Sequence, residues 1–359
     1  MKILLFGEFS GLYNSLKEGL VAEGHHVFLA SNGDGTKNYP SDFRWDIKMR
    51  APLKVRLCLE VLNIFLHKNK LKGYDAVLLM SPLLFGPYLF LNRLVYNFLI
   101  KNNKKVFLSG TGLTPYSLTF WYNTDKKYHH YAKGLLDNPS YRKYYFNNKI
   151  LMEWEMSLHE RVNGYIPIWY EYAEPFRNHP KTLKTIRIPI NAAKFEYTPN
   201  IVNDKIVFFH GRPSRPGAKG TAYIEEAFKR MKNRYGDIAE FHVAGGLPFK
   251  EYMSLVARTN VILDDTNSYS IAMNGLFSLA QGKIVLGGAE REGNEELGLM
   301  DNPVINIVPD VNQICEAIEF LIKNKGTFVE LGKKGREFVE RNHDFKEIAR
   351  LYVNTIENN

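Results

Sequence analysis

Residues 205–227 read KIVFFHGRPSRPGAKGTAYIEEA, and the parsing of this stretch decides the fold. Residues 205–210 are an apolar run rich in Val, Ile and Phe, the composition of a buried strand. Residues 211–220 form a loop with three Gly, two Pro, two Arg and one Lys. From Thr221 the period changes. Ile224, Ala227, Phe228 and Met231 recur at three- and four-residue steps, which predicts a helix with Thr221 as N-cap and Glu225 and Glu226 early in it. A strand, a glycine-bearing basic loop and a helix N-terminus together suit an anion. Free amides and the helix dipole face the loop, and Arg212, Arg215 and Lys219 add full positive charge. The spacing is not GxxxxGKS/T, because Lys219 precedes Gly220, and it is not GxGxxG. On composition alone a solvated basic loop is the alternative.

The strand–loop–helix rhythm extends in both directions. Downstream come strand 240–244, Gly245-Gly246, helix 249–258, strand 261–263 and the loop DDTNSYSIAMN. A helix near 275–281, strand 284–286, a helix over 311–324 and an amphipathic pair over 327–356 complete this half. Upstream, 3–6 is a buried strand, GEFSGLYNS a turn carrying Gly7 and Gly11, and 16–23 a helix closed by Gly24. His25 and His26 lead into strand 27–30, and strands at 76–80, 105–109 and 166–169 follow. The glycines of the first turn let a ligand approach the backbone closely. Two alternating halves joined by the polar segment 191–204 predict an α/β protein of two doubly wound domains facing each other across a cleft. The expected limits are 1–190, a linker at 191–204, 205–344, and a terminal helix at 345–359.

Composition narrows the function classes. The chain has 359 residues, 45% hydrophobic and 24% charged, which are globular values with room for two cores. Cys58 and Cys315 are far apart and lack metal-ligand spacing, so they read as reduced packing residues of a cytoplasmic protein. The opening residues are too short an apolar run for a signal peptide. The most apolar window, 83–100, is broken by Gly86, Pro87, Asn92 and Arg93 and reads as a buried helix rather than a membrane span. The net charge of +9 admits nucleic acid, an anionic membrane face or phosphate-bearing small molecules. No zinc-finger spacing or RNA-recognition motif is present, which sets nucleic acid aside. Residues 54–67 read as an amphipathic helix, either packed on a core or resting on a bilayer surface as a peripheral contact. Residues 116–172 interleave aromatic and basic side chains, which fits a sugar-lined cleft or half-buried outer helices.

Five stretches carry a resemblance to a known family. They are HGRPSRPGAKGTAYIEEAF (210–228), AGGLPFKEYMSLVARTNVILDD (244–265), GLFSLAQGKIVLGGAE (275–290), IPIN (188–191) and GREFVERNHDFKEIARLYVNTI (335–356). The sequence resembles the GT-B glycosyltransferases, in particular the retaining family-4-like group of bacterial surface-polysaccharide synthesis. The resemblance covers the second half in motifs and the first half in architecture. It implies two Rossmann-like domains, with the closing helix crossing back onto the first. Arg212 and Lys219 match the catalytic pair that grips the donor diphosphate, and Gly7 and Gly11 match the first glycine turn. Further donor contacts are implied at Gly211, Gly220, Gly245 and Gly275. The family's paired glutamates are absent: Tyr269 and Phe277 stand at those positions. Asp265, Asn267, Ser268, Ser270, Asn274 and Glu290 are the polar substitutes at hand.

The implied reaction moves a sugar from a nucleotide-diphosphate sugar to a hydroxyl of a glycan or lipid-linked acceptor, with no cofactor and no metal. Fixed cations would stabilise the charge that grows on the leaving diphosphate. Retention makes the leaving phosphate the proton acceptor, so no separate base is required. His25, His26, His129, His130 and Asp125 are the alternatives for one. Loss of the glutamates also fits a catalytically silent binding subunit, and a sugar-nucleotide epimerase is a third reading.

Overall fold

The computed structural model describes residues 1–127, 129–213 and 215–359; the side chains at 36, 129–131, 249 and 250 lie outside that description. The chain divides into two units. The first comprises Met1–Phe120, Lys143–Pro189 and Phe345–Asn359, the second Trp121–Arg142 and Ile190–Asp344.

The first half of the chain runs β1 (Lys2–Phe6), α1 (Leu12–Ala22), β2 (His26–Ser31), β3 (Phe43–Arg44), α2 (Leu53–Leu66), β4 (Ala76–Leu79) and α3 (Leu89–Asn102). It continues with β5 (Lys105–Gly110), α4 (Pro115–Asn123), α5 (His129–Leu136), α6 (Pro139–Tyr144), α7 (Lys149–Arg161), β6 (Gly164–Pro167) and α8 (Tyr170–Ala173). The second half begins with β7 (Ile206–Arg212), α9 (Thr221–Tyr235), β8 (Ala239–Gly245), α10 (Phe249–Ala257), β9 (Val261–Leu263) and α11 (Met273–Ala280). It ends with β10 (Ile284–Gly287), α12 (Arg291–Leu297), β11 (Ile305–Asn306), α13 (Val311–Lys323), α14 (Phe328–Asn342) and α15 (Phe345–Asn358).

The first unit is built on a parallel sheet in the order β3-β2-β1-β4-β5-β6. Its central strands are unbroken apolar runs such as AVLL, with every residue buried, because helices cover both faces of a parallel sheet. The chain leaves β1 in one direction toward β2 and later returns on its other side to β4. A reversal of this kind is where a parallel sheet is expected to take a ligand, at the carboxyl edge, and the turn holding Gly7 and Gly11 follows β1 there. Both glycines have positive φ, 101° and 86°, which side-chain-bearing residues rarely adopt. The terminal helix α15 packs on α1. A β-carbon at Gly19 would stand 2.1 Å from the Phe345 carbonyl oxygen, so only glycine allows this approach. Arg350 pairs with Glu23, and Lys105 donates to the Ile356 carbonyl at the far end.

The second unit's sheet is also parallel, in the order β8-β7-β9-β10-β11. Its reversal lies between β7 and β9, so the loops that follow these two strands flank the ligand crevice expected of such sheets. Ile224, Ala227, Phe228 and Met231 of α9 are buried against the sheet, the face their spacing predicts. Helix α13 packs beside α9, with Arg234 and Tyr235 of α9 both bonding Glu319, and it starts where Asp310 caps the amides of Asn312 and Gln313.

Several expectations need correction. Residues 121–142 pack with the second unit although they interrupt the first in sequence. The expected linker is likewise part of the second unit: Asn200 is buried and exchanges hydrogen bonds with Asn260, donating to its carbonyl at 2.9 Å and accepting from its amide at 2.8 Å. The window 83–100 becomes a loop followed by α3, a surface helix with Leu91, Val95, Tyr96 and Leu99 buried and Phe90 and Leu94 exposed. Helix α2 buries Leu57, Val61 and Ile64 and leaves Leu53, Leu62 and Leu66 in solvent. Cys58 lies on its exposed side and is no packing residue. Among the described residues, no helix is long and apolar enough to cross a membrane.

Candidate functional site

Strand β7 ends at Arg212, and the loop after it returns to the sheet edge at Gly220. Gly220, not Thr221, is the N-cap of α9. Its φ is 66°, and a β-carbon there would stand 2.0 Å from Thr266 Oγ1. Thr221 is already inside the helix and buried, with Oγ1 3.0 Å from Nε2 of His210. Nδ1 of His210 lies 2.8 Å from the Leu263 carbonyl oxygen, which can only accept. The ring is therefore protonated at Nδ1, and Nε2 accepts from Thr221. Burial lowers the His210 pKa and keeps the ring neutral. One buried histidine thus ties β9 to the start of α9.

The loop is fastened to the segment after β9 by three further contacts. Asn267 Nδ2 donates to the carbonyls of Gly217 and Ala218, at 3.2 and 3.1 Å, and the Thr266 amide donates to the Lys219 carbonyl. The Lys219 side chain turns inward, where Nζ bonds Asp264 Oδ1 at 2.6 Å and Asp265 Oδ2 is 4.0 Å away. Burial acts to lower the ammonium's pKa, but the two carboxylates outweigh it and hold it above the ordinary lysine value. Burial pushes Asp265 up to about 6, a rise opposed by Lys219 and reinforced by Asp264. Lys219 therefore spends its charge on the protein.

An open pocket of about 540 Å³ lies beside the loop. Arg212, Pro216, Gly217, Gly220, the first residues of α9, Glu225 and Asn267 form one side of it, and Lys133, Gly134 and Asp137 form the other. Arg212 is half exposed, and its Nε and Nη2 both donate to Glu225 Oε1. Helix α5 reaches the loop through a glycine pair. A β-carbon at Gly134 would stand 2.1 Å from the Gly217 carbonyl oxygen, and one at Gly217 would stand 2.9 Å from that of Gly134. The guanidinium of Arg215 sits 4.6 Å from the Tyr141 ring centroid and pins the other end of the excursion. The amides of Thr221 and Tyr223 are already taken by the carbonyls of Pro216 and Gly220, so Arg212 is the principal cation that the loop presents.

Of the residues singled out from sequence, Arg212, Gly220 and Asn267 meet at this pocket. Gly211 lies against the Tyr252 ring, and Gly245 faces Arg212 across the β7–β8 pairing, where a β-carbon would meet the Arg212 carbonyl at 2.7 Å. Asn274 and Gly275 are in α11, with Gly275 against Ile271 and the Asn274 carbonyl accepting from Ser278 Oγ. Ser268 Oγ donates to the Ser270 carbonyl, and Ser270 bridges to Ala289. Glu290 is buried and accepts from Lys127 Nζ at 2.6 Å and from Asn306 Nδ2 at 2.7 Å. Tyr269 and Phe277 are core residues, Tyr269 beside Trp121 and Phe277 stacked on Phe195. Gly7 and Gly11 lie in the first unit, in the turn after β1, Gly7 against Met80 and Gly11 against the Tyr39 ring. His25 and His26 sit at the amino end of β2, the opposite sheet edge, where His25 contacts the chain's terminal amine. Asp125 is exposed, and the side chains of His129 and His130 lie outside the described residues. Sequence reasoning missed Lys133 and Asp137. Their only local signal is two opposite charges four apart around a glycine.

No family model matches the sequence, and no curated protein matches it in sequence. Solved structures do match in fold. Sucrose-phosphate synthase from Thermosynechococcus elongatus aligns over 100% of both chains with a TM-score of 0.64 at 16% identity. Anabaena HepE, solved with UDP and glucose, aligns over 100% of both with a TM-score of 0.61 at 11% identity. S. aureus TarM, in a complex that includes UDP, aligns over 83% of this chain and 59% of its own with a TM-score of 0.57 at 12% identity. Two Rossmann-like units in one chain, as in these proteins, are the GT-B fold.

Proposed function

We propose that this chain transfers a sugar from a nucleotide-diphosphate sugar to a hydroxyl of a glycan or lipid-linked acceptor, with retention, in surface-polysaccharide synthesis. The observation that carries the reading is the pocket at the β7–β9 reversal, walled by Arg212 and the start of α9. The fold is shared with HepE, which was solved with UDP-glucose. A diphosphate seated there meets a guanidinium and the positive end of a helix. As the anomeric C–O bond breaks, the bridging oxygen of the leaving diphosphate gains charge, and both groups hold it more strongly than in the ground state. The acceptor oxygen attacks on the face from which the phosphate departs, and a phosphate oxygen takes its proton. No side-chain base and no metal enters this scheme. Lys219 serves by fixing the loop to Asp264. The exposed leucines of α2, next to Lys54 and Arg56, are the surface through which a lipid-borne acceptor would be met.

Calorimetric titration with UDP, GDP, ADP and their glycosylated forms, alongside release of nucleoside diphosphate in the presence of acceptor, tests the proposal. Arg212→Ala is expected to weaken diphosphate binding by tenfold or more and to spare the free nucleoside. Failure of every diphosphate to bind, or indifference to Arg212→Ala, would overturn it. A second reading, a silent binding subunit, draws on the burial of Tyr269 and Phe277 in the core. It predicts diphosphate binding without turnover.

A further inference from the structure

The pocket beside the 213–220 loop is not a purely cationic site. It is lined by two cations, Lys133 and Arg212, and by two carboxylates, Asp137 and Glu225. A carboxylate next to a phosphate costs energy through like-charge repulsion, so this balance suits a ligand that carries hydroxyl donors as well as phosphate oxygens. The four charged groups are not equivalent. Glu225 is engaged by Arg212 through two donors on one of its oxygens. Asp137 accepts no hydrogen bond among the described residues, and Lys133 has no carboxylate within ion-pair distance among them. Both are exposed to solvent.

Their placement is built into the backbone. Lys133 and Asp137 are four apart, and the Asp137 amide donates to the Lys133 carbonyl at 3.2 Å, so the helical turn carries through both. Residues so spaced share one face, with β-carbons about 6 Å apart. Gly134 lies between them and touches Gly217 backbone to backbone, an approach that a single β-carbon on either residue would block. The helix therefore meets the loop at a fixed height, with one ammonium and one carboxylate lining the same pocket as Arg212.

We propose that the 121–142 excursion completes the donor pocket: Asp137 accepts hydrogen bonds from hydroxyls of the sugar to be transferred, and Lys133 donates to the diphosphate beside Arg212. The assignment rests on the reading of this pocket as the donor site. It makes the excursion, and not only the sheet edge, a determinant of which sugar is taken.

The test compares a free nucleoside diphosphate with its sugar-bearing form, using whichever of UDP/UDP-glucose, GDP/GDP-mannose and ADP/ADP-glucose binds best. Asp137→Ala and the isosteric Asp137→Asn are expected to leave the Kd for the free diphosphate within twofold. Both should weaken the intact nucleotide sugar, the alanine variant by about tenfold, the size of a lost charge-assisted hydrogen bond. Lys133→Ala should weaken both ligands by about tenfold, and Lys133→Arg should restore them. Equal effects of the Asp137 variants on both ligands, or no effect, would overturn the sugar assignment. Silence of Lys133→Ala would overturn the phosphate assignment. If Arg212→Ala weakens binding while the Lys133 and Asp137 variants do not, this inference alone fails. If Arg212→Ala is silent as well, or no diphosphate binds, the donor-site reading fails with it.

Discussion

The ammonium of Lys219 lies 2.6 Å from the carboxylate of Asp264, and the two residues belong to loops on opposite sides of the β7–β9 reversal. The pair is a staple across the one place where the sheet opens. Asp264 is buried, its second oxygen has no hydrogen-bond partner among the described residues, and Lys219 is the cation bonded to its first. Lys219→Met should therefore cost about 3–5 kcal/mol of stability at pH 8, because it leaves two adjacent buried carboxylates uncompensated. Asp265 already stands at about 6 with Lys219 present, and removal of the cation raises it further. Protonation then relieves the repulsion, so the deficit should shrink toward pH 5. Urea titrations at the two pH values check this; a deficit independent of pH would contradict it.

In the first unit, Glu155 and His159 lie four apart on α7, both fully buried. Glu155 Oε1 and both ring nitrogens of His159 have no partner among the described residues. Burial raises Glu155 from 4.5 to about 8 and lowers His159 from 6.5 to about 3, with His179 adding to the latter. The signs follow from proton uptake. For Glu155 the folded state holds the proton more tightly, so stability is lost as pH rises from 4.5 through 8. For His159 the unfolded state holds it more tightly, so stability is lost as pH falls from 6.5 toward 3. The two slopes cancel between pH 4.5 and 6.5, and the Glu155 limb alone costs about 2 kcal/mol between pH 6.5 and 8. Glu155→Gln should flatten the alkaline limb in a denaturation series. The His159 ring packs against those of Tyr165 and Phe176, and His159→Phe should gain about 1–2 kcal/mol at pH 7 by removing two unsatisfied nitrogens.

Gly220→Ala meets two obstacles, a left-handed backbone and the Thr266 hydroxyl at 2.0 Å from the new β-carbon. The backbone alone costs about 1–2 kcal/mol, and the clash adds to it. Thr266→Ala in the same chain should recover the steric part and leave the conformational part. A double-mutant cycle by thermal denaturation separates them, with a positive coupling expected.

Gly19→Leu should release α15 from α1, since even one β-carbon would lie 2.1 Å from the Phe345 carbonyl oxygen. The expected outcome is rapid proteolysis after residue 344 with the second unit intact, read by mass spectrometry of limited digests. Survival of the terminal helix would contradict the packing described.

What can be read from sequence tracks how local each cause is. The spacing of Ile224, Ala227, Phe228 and Met231 predicts the buried face of α9, because a helix repeats its own geometry. The apolar runs at 3–6, 76–80 and 284–286 predict central parallel strands for the same reason. Thr221 reads as the N-cap because its hydroxyl is suited to one; in the fold that hydroxyl goes to His210, and Gly220 takes the cap through its backbone. Lys219 reads as a free cation because its partner is 45 residues away at the end of another strand. Lys133 and Asp137 are invisible as site residues, since the approach of their helix to Gly217 spans more than 80 residues and rests on a backbone contact between Gly134 and Gly217 that no local pattern marks.

The chain passes from one unit to the other after residues 120, 142, 189 and 344. A polypeptide cut at 190 would strip the C-terminal portion of the segment bearing Lys133 and deprive the N-terminal portion of α15. During synthesis the order is equally constraining: α1 leaves the ribosome near the beginning, yet its docking partner follows the whole of the second sheet. The packing of the first unit is therefore completed only after the second has been made.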